Sequence, residues 1–368
     1  MKRIFALILA LLLLLTGCGQ TEAPESQSTT APVETKDPHA LRMTQESNVR
    51  KATYEKMEAY TDYLAMAEKL FLIPGLKQVL TPQGIAVCPT TGRTYISAYS
   101  VDGIPSAVAV TEAGTNELVA EYYLYNADGT PFASHVGGIA LTDTHMYLSD
   151  TVDAQGNYRI AAIPLTELPT EGAHDITVTE TIVMAMSPSM LNYSGGYLWV
   201  GNFYYPKGKY ELSPNMPYTT VASDESEYGC YILGFDMSQG HDRLLSGDPY
   251  PLPDVILTAP DRIQGITLTD TGKVVLSQSY GRANDSALLI YSLNPGEEPD
   301  LELNLNGQLI PAFLLDGNRL AQSINAIPMS EGLATTPEGK VLVLFESGAI
   351  RYEDGKHRTS YVWTMTVE

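Results

Sequence analysis

A strand-turn-strand unit recurs along this chain of 368 residues, and it restricts the fold more than any other feature. Pro82-Gln83-Gly84-Ile85-Ala86-Val87 is followed by Thr94-Tyr95-Ile96-Ser97. Val136 to Leu141 precedes Met146 to Ser149, Ser189 to Tyr193 precedes Tyr197 to Gly201, Ile263 to Leu268 precedes Lys273 to Ser277, and Ser330 to Thr335 precedes Lys340 to Leu344. Positions 84, 138, 190, 265 and 332 share one slot, and glycine fills it in every unit but the third. Each unit is two short apolar runs joined by turn chemistry, Asp270-Thr271-Gly272 and Pro337-Glu338-Gly339 among them. A third run follows each pair: Ala107 to Val110, Tyr158 to Ile163, Gly229 to Phe235, Ala287 to Leu293, Tyr361 to Val367. A fourth precedes the next unit: Leu118 to Leu124, Ile176 to Val183, Asp254 to Leu257, and a run within Leu301 to Leu315. Four strands per unit repeated about an axis predict an all-β propeller, 76–368, of five four-stranded blades. The fifth unit ends after three strands, so Leu76 to Leu80 is expected to supply its fourth and close the ring, which leaves no open edge. The longer intervals after 190 and 265 leave room for a sixth blade.

The N-terminal segments have a different character. Lys2-Arg3, an apolar run from Ile4 to Leu15, and small residues before Cys18 describe a secretory signal peptide over 1–17. The run is too short to span a bilayer. Leu15-Thr16-Gly17-Cys18 resembles the bacterial lipobox, and the resemblance implies a lipid on the Cys18 thiol and cleavage before it. The chain is therefore expected on the extracytoplasmic side of the cell membrane. Gly19 to about Asp37 is Ser, Thr, Pro, Glu and Gln with little to bury, so 18–43 reads as a disordered tether. Tyr54, Met57, Tyr60, Leu64, Ala67 and Leu70 recur at three and four and predict one amphipathic helix over 44–75, packed on the propeller and stopped by Pro74-Gly75.

A formal charge of −21 repels phosphate backbones and opposes charge-driven docking on anionic lipid. Nucleic acid is therefore not an expected partner, and membrane attachment falls to the lipid; the oligomeric expectation is a monomer. Cys88 and Cys230 lie in apolar strand-like runs and read as small buried hydrophobes, with a bridge between them as the alternative.

The loop into each first strand and the loop leaving each second strand emerge on one propeller face. This places Gln83, Gly137, Ser189, Gln264 and Glu331 at the entries, and Ser97, Asp150, Asn202, Gln278 and Glu346 at the exits, around one channel mouth. His135 and Arg282 lie on the same loops. Arg282 is suited to clamping a carboxylate or phosphate, or to pairing with Glu331 or Glu346. The stretch from Tyr204 to Tyr228, with Tyr204, Tyr205 and three further tyrosines, is long enough to be a binding loop or a flap tucked over a neighbouring blade. Tyrosine is abundant at 23 residues against 7 Phe and 2 Trp, and it supplies amphipathic contact surface.

The small-residue entry, the Gly-Ile-Ala strand and the aromatic-aliphatic-Ser strand resemble the NHL and gluconolactonase-like propeller superfamily at the level of strand motif. The resemblance implies a divalent metal such as Ca2+ in the channel, held by Glu331 of the Glu331-Gly332 entry with Asn202 and Asp150. It departs from that pattern in having Gln at other entries and no Asn-Asp pair for a catalytic acid. No Gly-x-Ser-x-Gly elbow and no Cys/His zinc spacing occurs. Two functions follow. One is a membrane-anchored propeller that binds a small molecule, a glycan or a partner protein at the mouth. The other is a divalent-metal-dependent hydrolase of the lactonase or esterase kind, working through Glu331.

Overall fold

The computed structural model describes residues 37–367 apart from 102, 151 and 295, so Cys18 and the signal peptide lie outside the described residues. From Pro38 onward the chain is one compact unit. Five antiparallel sheets form the blades of a propeller. From the axis outward, the first runs Thr81–Val87, Thr94–Tyr99, Ala107–Thr111 and Leu118–Asn126. The second runs Ile139–Leu141, His145–Ser149, Tyr158–Pro164 and Glu180–Met184. The third runs Met190–Ser194, Tyr197–Gly201, Cys230–Asp236 and Val255–Ala259. The fourth runs Ile263–Leu268, Lys273–Gln278, Ser286–Ser292 and Leu320–Ala326. The fifth runs Ser330–Thr335, Val341–Phe345 and Tyr361–Met365, with Ala67–Leu72 outermost. Each innermost strand packs on those of the two neighbouring blades, so the ring is closed with five members.

The glycine slot is what lets five inner strands crowd one axis. A Cβ on Gly138 would fall 2.1 Å from the Leu191 backbone N of the next blade, and one on Gly84 would fall 2.8 Å from Ile139 N. On Gly265 it would meet Glu331 O at 2.5 Å, and on Gly332 it would meet Ile85 N at 2.7 Å. The third blade makes the reverse exchange. Met190 occupies the slot, and its partner across the pair is Gly201, whose missing side chain leaves room for the Met190 thioether. In the first two blades the residue facing the slot is a serine that also stitches strands together. Ser97 Oγ accepts from Gly84 N and donates to Val136 O of the second blade, and Ser149 Oγ accepts from Gly138 N. Ser97 is thus fully buried between blades rather than at the mouth, two residues short of the exit loop.

The long helix expected over 44–75 is absent. One helix forms, Thr61–Met66, preceded by two short 3-10 turns, and the chain then extends into Ala67–Leu72. That strand, and not Leu76 to Leu80, closes the ring against Tyr361–Met365. Tyr54, Tyr60, Tyr63 and Ala67 are buried here, as are Phe71 and Ile73 beyond them, while Met57 and Leu70 face water. Tyr63 lies 5.4 Å from the Trp363 ring and 6.3 Å from that of Phe345, and Tyr60 donates to Asp285 at 2.5 Å. The burial serves tyrosine rings docked on the blades, a demand that short turns meet as well as a helix does. The expected tether also ends early. The backbone N–H groups of Arg42 and Met43 donate to the buried Glu121 carboxylate, which ties this segment to the first blade.

Two interblade stretches belong to other blades than their order implies. Gly172–Val178 pairs in parallel with Leu118–Asn126 and widens the first blade, so the second blade's own outer strand is only Glu180–Met184. The hairpin Leu301–Leu305 and Gln308–Leu314 pairs in parallel with Val255–Ala259 of the third blade, and Leu320–Ala326 completes the fourth. Both additions cover outer edges that would otherwise present unpaired backbone. Cys88 and Cys230 are buried and unbridged.

Candidate functional site

Three of the expected mouth residues owe their position to one backbone device. The pairing register slips between Pro82 and Gly84, between Ile263 and Gly265, and between Ser330 and Leu333. The residues left in these bulges are Gln83, Gln264, and Glu331 with Gly332, and a bulge re-aims the side chain it carries. The loops entering the strands are strained in step: Arg262 and Met329, each three residues before the slot glycine, have positive φ, as does Val136. Their carbonyls receive the exit loops, Arg262 O from Ser279 N at 2.9 Å and Met329 O from Glu346 N at 3.1 Å.

This brings two carboxyl groups together. Glu331 is buried at 4% exposure, and Glu346 is half-buried beside it. Each carboxyl shifts the other's titration, so the two take up and release protons as a pair. Burial, and then the Glu346 charge, push Glu331 well above the usual carboxylate range. Burial pushes Glu346 up to about 7, against hydrogen bonds from Gln83 and Tyr352 and the charge of Arg351. Gln83 Nε2 donates to Glu346 at 2.8 Å and to Pro82 O at 3.0 Å; Gln264 Nε2 donates to Glu331 at 3.3 Å. Side chains from three blades therefore converge on one carboxyl pair.

Aromatic faces and cations surround the pair. The Tyr352 and Tyr99 hydroxyls are 3.4 Å apart, and the His135 ring stacks on Tyr99 at 4.2 Å. Solvent reaches the His135 side chain, and the protein packed around it and then the Arg351 charge lower its pKa to about 4. It is neutral at physiological pH. The Arg351 guanidinium lies over Tyr99 at 5.5 Å. On another stretch of the rim the Tyr205 and Tyr280 rings are 4.6 Å apart, with Arg262 over Tyr205 at 5.5 Å. Tyr99, Arg351 and Tyr352 were not among the expected site residues. Arg351-Tyr352 follows Glu346 in sequence and Tyr99 lies two residues past Ser97, so proximity to the exit positions was the available signal.

Other expected members are committed elsewhere. Asn202 spends both ends of its amide on backbone, accepting from Tyr231 N at 2.7 Å and donating to Gly229 O at 3.1 Å. Asp150 pairs with Arg159 at 2.7 Å. Gln278 donates to Asp261 O, and Arg282 clamps Asp354 at 2.6 and 2.7 Å rather than either glutamate. The tyrosine-rich loop divides. Tyr204 packs over Gly229, and Tyr218 and Tyr228 are folded into the third blade's flank, while Tyr205 and Tyr210 stay at the rim. The proposed metal set of Glu331, Asn202 and Asp150 is therefore not gathered as a ligand set, since Asn202 is bound to the Gly229–Tyr231 backbone and Asp150 to Arg159. Among the described residues no three His, Cys, Asp or Glu side chains cluster as metal ligands.

No protein-family model and no curated protein matches the chain. Solved structures do. One is the PQQ-bound aldose sugar dehydrogenase of Streptomyces coelicolor, at 16% identity and a TM-score of 0.46 over 82% of this chain and 98% of that one. A glucose dehydrogenase-type oxidoreductase of Thermus thermophilus matches at 16% and 0.40 over 81% and 99%. A gluconolactonase of Xanthomonas campestris matches at 12% and 0.32 over 84% and 93%. At such identities and scores the similarity says nothing about substrate or chemistry.

Proposed function

We propose that this chain is a lipid-anchored, extracytoplasmic propeller that binds a small uncharged, hydroxyl-rich ligand of the sugar class at the channel mouth. The observation that carries the reading is the carboxyl pair Glu331–Glu346, fixed by amides from two other blades and walled by Tyr99 and Tyr352. A half-protonated carboxyl pair both donates and accepts, as ligand hydroxyls require, and aromatic faces supply apolar contact for a ring. Titration calorimetry of the purified chain against a panel of mono- and disaccharides tests this. Saturable binding that weakens in Glu346→Gln is expected; no binding across the panel, or binding indifferent to that change, refutes it.

A second reading has its own support. A carboxyl group at about 7 is matched to proton transfer near neutral pH, so the same pair suits general acid–base hydrolysis of a bound ester or glycoside. Turnover lost in Glu346→Gln with a bell-shaped pH profile separates a hydrolase from a receptor. The anchoring half of the proposal rests on Cys18 and its preceding tetrad, and palmitate labelling abolished by Cys18→Ala is the expected result. We further propose a monomer without nucleic-acid partners, on the ground of the charge of −21.

A further inference from the structure

Away from the mouth, the fifth blade's exit loop and the segment leading in from the N-terminus enclose a second cleft. It measures about 740 Å3, and its charged and titratable lining is Arg50, Lys51, Lys77, Glu353, His357 and Arg358. Four permanent cations face one carboxylate, in a chain whose net charge is −21. Two of the four, Arg50 and Lys51, have no acidic partner among the described residues. Arg358 is held by neutral groups, donating to the carbonyls of Ser347, Gly348 and Ala349 at 2.7, 3.1 and 3.0 Å. Those bonds fix the guanidinium, with Glu353 the carboxylate nearest to it in the lining. Lys77 pairs with Glu46, whereas Arg50 and Lys51 make no ion pair or hydrogen bond among the described residues. The neighbouring acid Asp354 is taken by Arg282. His357 is anchored through Nδ1 on the Thr53 hydroxyl at 2.9 Å.

Four cations against one lining carboxylate leave a local excess of positive charge, which an anion would offset. We propose that this cleft binds the phosphate group of a small soluble phosphate monoester. The choice of a solute over a membrane follows from the charge balance: the surrounding acidic field repels an anionic bilayer, while a ligand of this size sits inside the local cationic patch. The cleft volume is that of a small-molecule site, larger than bare phosphate requires, so the ester carries a polar body as well. The site stands independently of the channel-mouth reading, since it uses none of that site's residues.

The test is calorimetric titration of the purified chain, at low ionic strength, with inorganic phosphate and glycerol 3-phosphate, glycerol serving as the uncharged control. The expected result is binding of both phosphates and not of glycerol. It weakens about tenfold or more in Arg50→Ala/Lys51→Ala, as loss of charge-assisted contacts requires, and is unchanged in Glu346→Gln. Both changed cations are solvent-exposed, and an unaltered melting temperature will show that the fold survives. Absence of phosphate binding, or equal affinity in the double variant, overturns the proposal. So does binding confined to phosphatidylglycerol vesicles, which would identify a lipid surface in place of a solute.

Discussion

The carboxyl pair makes the stability of this protein depend on pH in the direction opposite to that of most carboxylates. Glu346 rises from 4.5 to about 7 on folding, because burial disfavours its charged form. Between those values the native state holds a proton that the unfolded chain has released. Its contribution to stability is therefore full below about pH 4.5 and is lost as pH climbs through 7. At about 1.4 kcal/mol per pH unit the displacement corresponds to roughly 3 kcal/mol. Water reaches one side of Glu346, so about 2 kcal/mol is the working expectation. The decisive perturbation is Glu346→Gln, which keeps the shape, keeps an acceptor for Gln83 and removes the titration. Urea unfolding followed by tryptophan fluorescence at about pH 5, 6, 7 and 8 should show wild-type stability falling across this range, and the variant's falling less. A wild type that is level or gains stability between pH 5 and 8, or a variant with the same slope, would sink the argument that folding holds this carboxyl pair protonated above its ordinary range.

Gly138→Ala should destabilise the fold by about 3 kcal/mol or more, because its Cβ would meet the Leu191 backbone N at 2.1 Å; a melt within a degree or two of wild type would contradict the close-packed axis. Phe71→Ala removes a buried ring from the closing strand and should cost about 3 kcal/mol while promoting self-association, read by denaturation and light scattering. Asp150→Ala strands the Arg159 guanidinium and should cost about 1–3 kcal/mol, less than a fully buried pair because Arg159 is 27% exposed. Calcium followed by chelator should leave the melting temperature unchanged, since Asn202 is held by the Gly229–Tyr231 backbone and Asp150 by Arg159; a calcium-dependent rise would show that those side chains let go of their present partners.

The repeat determined a great deal without any coordinates. A glycine in a fixed slot, two apolar runs and a turn are local signals, and they were enough for the five blades, the inner three strands of each, and the face on which Gln83, Gln264, Glu331 and Glu346 meet. Strand ownership was not local. Gly172–Val178 and the hairpin of Leu301–Leu305 with Gln308–Leu314 carry the same apolar alternation wherever they dock, and only the exposed edges of the first and third blades decide where they pair. The same holds for Ala67–Leu72, whose tyrosine-rich approach has a helical period but whose backbone finds partners in Tyr361–Met365. At the mouth, residue type announced polarity and nothing more. Asn202 and Glu331 look equally suited to a ligand on paper. In the fold one is consumed by the Gly229–Tyr231 backbone, while the other is buried against a second carboxyl. Which polar groups stay available is settled by backbone bulges and by neighbours from other blades, at sequence distances over which no local pattern carries information.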